Sequence, residues 1–195
     1  PIDLIFLMRY VMPKLIRSLF LLIVLVGSLF IYPTQTVYAI AIPSEINNPF
    51  TPILIDAGGI SVLRVTVFNP NTFDLTNVSW TDNLVGVQPG LSIAPPGLVD
   101  TNCGTPDTVT AVPGTTSLSL NGGTVPAQAG ATPGECFVEV NVTSATVGNL
   151  INTIPTSPLS ASGDDNGTVV SISNTTPASA TITVVAVTPP TLSKG

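Results

Sequence analysis

The sequence contains no histidine among its 195 residues, and only 8% of its residues are charged. Hydrolases that use a histidine base are therefore excluded, as are zinc sites with histidine ligands. The acidic residues are scattered along the chain, so the paired carboxylates that hydrolyse glycosides are not indicated either. The residues predict a protein that is not an enzyme and that has no cofactor.

Basic side chains are also rare. The sequence has five of them against eleven acidic ones, and only Arg64 and Lys194 lie after residue 39. The region after residue 39 also holds ten acids, which gives it a net charge of −8. Proteins that bind nucleic acids need a basic surface. Nucleic acids are therefore excluded as partners.

Aromatic residues make up 6% of the chain, Trp80 is its one tryptophan, and no tyrosine follows Tyr38. So few rings make a poor platform for stacking on sugars. We expect Trp80 to fill the core of the domain, as a lone tryptophan often does in a β-sandwich, with sugar stacking as the alternative. Asp82 is expected to cap a turn through its carboxylate.

The first 39 residues have the pattern of a signal peptide. Basic residues precede an uncharged apolar stretch at 19–31, and Val37-Tyr38-Ala39 resembles a cleavage site. We predict cleavage after Ala39, with Ala41 as the alternative position. The segment predicts an exported protein that meets the membrane only through its leader, during export.

Two points about this leader stay open. A signal anchor is the alternative interpretation, because the apolar region 15–32 approaches the about 18 residues of a membrane span. Translation is expected to start at Met12 or Met8. The residues before the starting methionine are then not expected to belong to the translated protein.

Cys103 and Cys136 are the two cysteines of the chain. An even pair in an exported domain indicates a disulfide, and two buried thiols are the alternative. The bond would contribute on the order of 4 kcal/mol by closing a loop of about 34 residues.

Alternation of apolar and polar residues with a period of two is common after residue 40, and no helical period is sustained. The strongest strands are predicted at 60–68, 137–142 and 180–187, with Val138, Val140 and Val142 facing inward. Weaker strands are predicted at 51–55, 75–81, 91–94, 109–112, 117–120, 150–154 and 168–172. Strands of this number and spacing predict an all-β immunoglobulin-like sandwich over residues 40–190.

Turn residues separate these strands. The predicted turns are Gly58-Gly59, Asn69-Pro70-Asn71, Pro95-Pro96-Gly97, Asn121-Gly122-Gly123 and Asp165-Asn166-Gly167. In the segment 162–167, Asp164, Asp165 and Asn166 are candidate calcium ligands, because calcium favours clustered oxygen atoms. The segment lacks the ligand spacing of an EF-hand, so a hairpin turn is favoured and no metal is expected.

Short motifs follow one another over about residues 42–190. They include Phe50-x-Pro52-x-x-Ile55, Gly58-Gly59-x-Ser61-x-Leu63, Asn69-Pro70-Asn71, Leu75-Thr76-Asn77-Val78, Thr81-Asp82-Asn83-Leu84, Cys103-Gly104, Gly134-Glu135-Cys136 and Asn152-Thr153. Their order and spacing resemble the conserved repeat domain of bacterial secreted and surface proteins, an immunoglobulin-like domain of unknown function. Members commonly occur in tandem, and a Leu-Ser-Lys segment opens each unit. Here Ser44-Glu45-Ile46 stands at that position, and Leu192-Ser193-Lys194 implies a second unit beginning at 191–195.

The resemblance implies a fold and a location but no active site. We therefore predict a non-enzymatic structural or spacer domain, secreted or at the bacterial cell surface. Its partners are unknown, with neighbouring repeats of the same chain or other surface components as candidates. The alternative is an adhesive or carbohydrate-binding module, assisted by calcium.

Overall fold

A computed structural model describes residues 41–85 and 90–188 of the chain. The predicted leader (1–39) and the predicted start of a second unit (191–195) lie outside these ranges. Within them the domain is all-β, as predicted, with thirteen strands and one short 3₁₀ helix, Pro106–Thr108. The described part of the chain has no helix that is both long and apolar enough to cross a membrane.

The strands form three hydrogen-bonded sheets. In chain order they are β1 (Glu45–Asn47), β2 (Phe50–Thr51), β3 (Leu54–Asp56), β4 (Ile60–Asn69), β5 (Leu75–Asn83), β6 (Ser92–Thr101), β7 (Val109–Ala111), β8 (Ser117–Val125), β9 (Gly134–Thr143), β10 (Gly148–Ile154), β11 (Ser160–Asp165), β12 (Thr168–Ile172) and β13 (Ala178–Val185). Sheet 1 has the order β1-β4-β9-β6, with β2 also on β4; sheet 2 is β10-β13-β3, and sheet 3 is β12-β11-β5-β8-β7.

The sandwich has sheet 1 as one layer and sheets 2 and 3, side by side, as the other. Strands β13 and β8 pack against sheet 1, and β10 packs beside β5. A single apolar core joins the layers. On β9 the predicted inward residues Val138, Val140 and Val142 are all fully buried, because alternate side chains of a strand face the same side.

Several predicted boundaries were wrong, and the reason is pairing between strands. The segment 95–97 lies inside β6, and 121–123 lies inside β8. Both interrupt the ladder register without ending the strand, as β-bulges do. Residues 162–165 belong to β11 rather than to a turn, and the predicted strand 51–55 is divided between β2 and β3.

Strand β1, where the usual Leu-Ser-Lys is replaced, is nevertheless paired. It lies antiparallel to β4, with Glu45 opposite Phe68. Just before it, the backbone of Ile42 is held by the Asn71 side chain through two hydrogen bonds of 2.7 and 2.9 Å. The chain therefore enters the domain at the C-terminal end of β4.

The chain leaves the domain at the opposite end of β4. Strand β13 finishes at Val185, whose carbonyl accepts a hydrogen bond of 2.8 Å from the Ala57 amide, three residues before β4 begins. A ten-residue strand spans about 30 Å at roughly 3.4 Å per residue. We call the place where the chain enters the N-terminal end of the domain; it is marked by Ile42 and Asn71. The place where the chain leaves is the C-terminal end of the domain, and it is marked by Ala57 and Val185.

Gly134 begins β9 opposite Asn69, where the chain leaves no room for a side chain. A Cβ atom there would collide with the carbonyl group of Pro126 and lie 2.8 Å from the carbonyl oxygen of Ala127. We expect Gly134→Ala to lower the free energy of unfolding by about 2 kcal/mol, since both obstacles are backbone. Urea unfolding would measure it. The control Glu135→Ala, at the exposed neighbouring position, should cost far less; equal losses would contradict the steric argument.

Candidate functional site

A groove lies at the N-terminal end of the domain. Its volume is about 420 Å³. It is lined by Ile42, Pro43, Glu45, Phe68, Pro70, Thr132, Pro133 and Glu135. The lining is largely apolar and includes two glutamates. The groove adjoins the point where the chain enters the domain.

The two cysteines are joined by a disulfide, with the sulfur atoms 2.10 Å apart. Cys103 follows β6 and Cys136 lies on the neighbouring strand β9, and both are fully buried. The bond therefore fixes two adjacent strands of sheet 1 and encloses β7 and β8 in one covalent loop.

The candidate calcium ligands lie at the β11–β12 hairpin. Asp165 pairs with Thr168, which leaves Asn166 and Gly167 as a two-residue loop, and both have positive φ angles, as a type I′ turn requires. The Asp164 carboxylate accepts a hydrogen bond from the Gly167 amide, and the Asp165 carboxylate accepts one from the Asn166 side chain. The geometry and hydrogen bonds of the hairpin turn therefore explain why these three polar residues occur together. Residues 41–85 and 90–188 contain no group of three or more acidic, cysteine or histidine side chains placed to hold a metal.

Trp80 lies on β5 and is 2% exposed, which agrees with a place in the core. It borders a shallow groove of about 400 Å³ lined by serine and threonine residues, but its ring is not available for stacking on a sugar. The expected role of Asp82 as a turn cap was wrong. Asp82 is two residues further along β5, on the same buried face as Trp80.

Asp82 belongs to a buried polar cluster with Asn152 and Asn48. The Asn152 side-chain amide, on β10, donates a hydrogen bond of 2.6 Å to Asp82 Oδ2. The Asn48 side-chain amide, between β1 and β2, donates one of 3.4 Å to the Asn152 carbonyl. All three residues are fully buried. The cluster therefore ties sheet 3 to sheet 2 and to the N-terminal segment.

Burial raises the pKa of Asp82 to about 6, and the hydrogen bond from Asn152 offsets part of that rise. Sequence reasoning missed this cluster, although one signal was present: a carboxylate two residues from a core tryptophan shares its face on a strand. Nothing in the local sequence pointed to Asn48. Because the carboxylate is sealed from solvent, it cannot act on a substrate in solution.

Arg64 is the one basic residue in the described part of the chain. Its Nη1 atom lies 2.7 Å from Glu139 Oε1 on β9, and its guanidinium group stacks 3.7 Å from the centre of the Phe137 ring. Both partners are on the outer surface of sheet 1. A partly exposed pair of this kind contributes little to stability and marks no site.

Solved structures with a similar arrangement of strands include a cohesin and two pilins. The seventh ScaB type I cohesin from Pseudobacteroides cellulosolvens is 16% identical, with a TM-score of 0.44 over 77% of this chain and 98% of the cohesin. The major pilin SpaD from Corynebacterium diphtheriae is 9% identical (TM-score 0.43, 70% of this chain and 34% of the pilin). The major pilin subunit BcpA of Bacillus cereus is 10% identical (TM-score 0.43, 73% and 40%).

No curated protein matches the sequence. One family model does, the domain of unknown function DUF7933, and the match runs over residues 45–184. These residues extend from the first residue of β1 almost to the end of β13 and include every member of the buried Asp82 cluster. The chain therefore belongs to the family of the domain of unknown function DUF7933.

Proposed function

We propose that the domain is a non-enzymatic spacer of an exported bacterial protein, which holds its two neighbouring segments about 30 Å apart and resists tension between them. The observation that carries this proposal is the position of the two residues at which the chain enters and leaves the domain. Ile42 and Val185 lie at opposite ends of β4. A domain built in this way adds its full length to a chain of domains.

Strands β3 and β13 lead to the two ends of the domain, and their parallel pairing means that tension between the ends makes them slide past each other. Strand β3, which leads back to the N-terminal end, runs parallel to β13, with Leu54 opposite Thr183 and Asp56 opposite Val185. Pulling on both ends draws these strands in opposite directions along their length. Sliding strains all the hydrogen bonds of the ladder together, whereas peeling would break them one at a time.

Two further observations support export and the choice of partners. The disulfide suits an oxidising compartment outside the cytoplasm, where such bonds persist. The groove at the N-terminal end adjoins the incoming chain, so neighbouring domains of the same polypeptide, or other surface proteins, are the proposed partners. The low exposure of Trp80 gives no support to the alternative of a carbohydrate-binding module.

Single-molecule stretching of the full chain tests this proposal, with handles attached at Ala41 and Thr188. We expect one cooperative unfolding event. The extension gained with the disulfide intact should be about 120 Å shorter than after reduction, because 33 residues at roughly 3.6 Å each stay enclosed in the covalent loop.

A pair of variants tests the loaded strands directly. Ala57→Pro removes the amide that bonds to Val185 and should lower the unfolding force. Val169→Pro perturbs the edge strand β12, outside the loaded pair, and should leave the force close to that of the wild type. Equal forces for the wild type and Ala57→Pro would reject the load-bearing role.

A further inference from the structure

Strand β12 (Thr168–Ile172) is an unprotected edge of sheet 3. It is the outermost strand of that sheet, and its antiparallel ladder with β11 continues without a register shift. Its sequence, Thr-Val-Val-Ser-Ile, contains no charged residue and no proline. Val169 is 76% exposed, more than any other large apolar side chain in the described part of the chain. Proteins normally protect an edge of this kind, because its free N–H and C=O groups can pair with another strand.

The other edges of the three sheets are protected in one of the usual ways. In sheet 1, β1 is three residues long and carries Glu45, and β6 contains two prolines and shifts its register against β9. In sheet 2, β3 is three residues long and carries Asp56, while β10 lies beside β5 of sheet 3. The far edge of sheet 3 is β7, which has three residues. Among the described strands, β12 is therefore the edge that stays open to pairing.

The hairpin determines which backbone groups of β12 face outward. In a two-residue hairpin the residues that close the loop, here Asp165 and Thr168, form a hydrogen-bonded pair, and such pairs alternate along an antiparallel ladder. Every second residue from Thr168 onward therefore directs its N–H and C=O groups to β11. Val169 and Ser171 direct theirs away from β11, to the free side of β12.

This arrangement is self-complementary about Val170. When a second β12 lies antiparallel with the two Val170 residues opposite each other, Val169 of each copy lies opposite Ser171 of the other. Each such pair exchanges both of its backbone hydrogen bonds. The cross-strand neighbours are then Val with Val, Val with Ser and Thr with Ile, so no like charges meet, and β-branched side chains suit these contacts.

We propose that two copies of this chain associate through antiparallel pairing of their β12 strands, which joins the five-stranded sheet 3 of each copy into one continuous sheet. The twofold arrangement uses the open edge of both copies, so association stops at a dimer. Pairing also brings the exposed Val169 side chain into contact with a neighbouring strand. The interface does not depend on the spacer function, because β12 lies outside the loaded strands β3 and β13.

Sedimentation velocity of the full chain over a range of concentrations tests the dimer. We expect a monomer–dimer equilibrium without larger species. Val169→Pro removes the outward N–H group and keeps every hydrogen bond to β11, so it should raise the dissociation constant of the dimer by about thirtyfold. The matched control Val169→Thr keeps this N–H group and should dimerise like the wild type. The segment 1–39 is the same in every variant, so it cannot cause a difference between them.

Cysteine cross-linking gives an independent readout of the register. Val170→Cys places the two Cα atoms opposite each other in a non-hydrogen-bonded pair, about 4.5 Å apart, which a disulfide can bridge. In Val169→Cys the equivalent atoms lie diagonally, roughly 7–8 Å apart, which is too far. Mild oxidation should therefore give a covalent dimer of Val170→Cys and almost none of Val169→Cys, although residue 169 is the more exposed of the two.

Three outcomes would overturn the proposed dimer. A full chain that stays monomeric would do so, and would leave the β12 edge to a strand of a different protein. A dimer that is as stable in Val169→Pro as in the wild type would show that other surfaces hold it together. Equal cross-linking at residues 169 and 170 would contradict the twofold register.

Discussion

Replacing both cysteines, Cys103→Ala and Cys136→Ala, is expected to lower the free energy of unfolding by about 4 kcal/mol. The bond closes a loop with a sequence separation of 33, and its loss returns that conformational freedom to the unfolded chain. The loss is large beside the stability of most domains, roughly 5–15 kcal/mol. Urea unfolding of the wild type and of the double variant would measure it.

Reduction provides the control for this prediction. A reducing agent should lower the urea midpoint of the wild type and leave the midpoint of the double variant unchanged. Both sulfur atoms are fully buried, so the wild type should be equilibrated with the reductant under unfolding conditions. If its midpoint is then the same with and without reductant, the disulfide does not stabilise the domain.

Asp82 is expected to make the domain more stable as the pH falls, contrary to the usual behaviour of a carboxylate. Its pKa is about 6 in the folded protein, against 3.8 for an unperturbed group. Between these values the folded state binds more protons than the unfolded state, so stability decreases as pH rises. The stabilisation is fully present below pH 3.8 and is lost as the pH passes 6. The full effect is about 3 kcal/mol, at 1.36 kcal/mol for each pKa unit.

Asp82→Asn isolates this effect, because asparagine keeps the shape of the side chain and stays neutral at every pH. The variant should exceed the wild type by up to about 3 kcal/mol at pH 8 and approach it near pH 4. Urea unfolding across this pH range would show it. Parallel pH profiles of the two proteins would mean that Asp82 does not titrate between pH 4 and 6.

Much of the fold was predictable from local residue patterns. Val138, Val140 and Val142 alternate with polar residues, and their burial follows because a strand turns alternate side chains to the same face. Asn166-Gly167 forms the expected turn, since both residues tolerate a positive φ. In contrast, the glycines at 122 and 123 were predicted to end a strand, yet neighbouring strands continue the ladder through them.

The buried cluster was much less predictable than the strands. Asp82 and Asn152 are separated by 70 positions, and Asn48 and Asn152 by 104. No local sequence pattern indicates a contact between residues that are so far apart in the sequence. The inward position of Asp82 on β5 was readable from its spacing to Trp80, but its partners were not.

The sequence by itself determined the all-β class, the absence of histidine chemistry and the acidic surface, since these depend on residue type and short-range spacing. Only the tertiary structure decided that Ile42 and Val185 lie at opposite ends of β4 and that a carboxylate and two carboxamides meet in the core. The physical reason is that both outcomes depend on how sheets pack and pair over long separations, through the combined burial of many residues rather than the preference of any one.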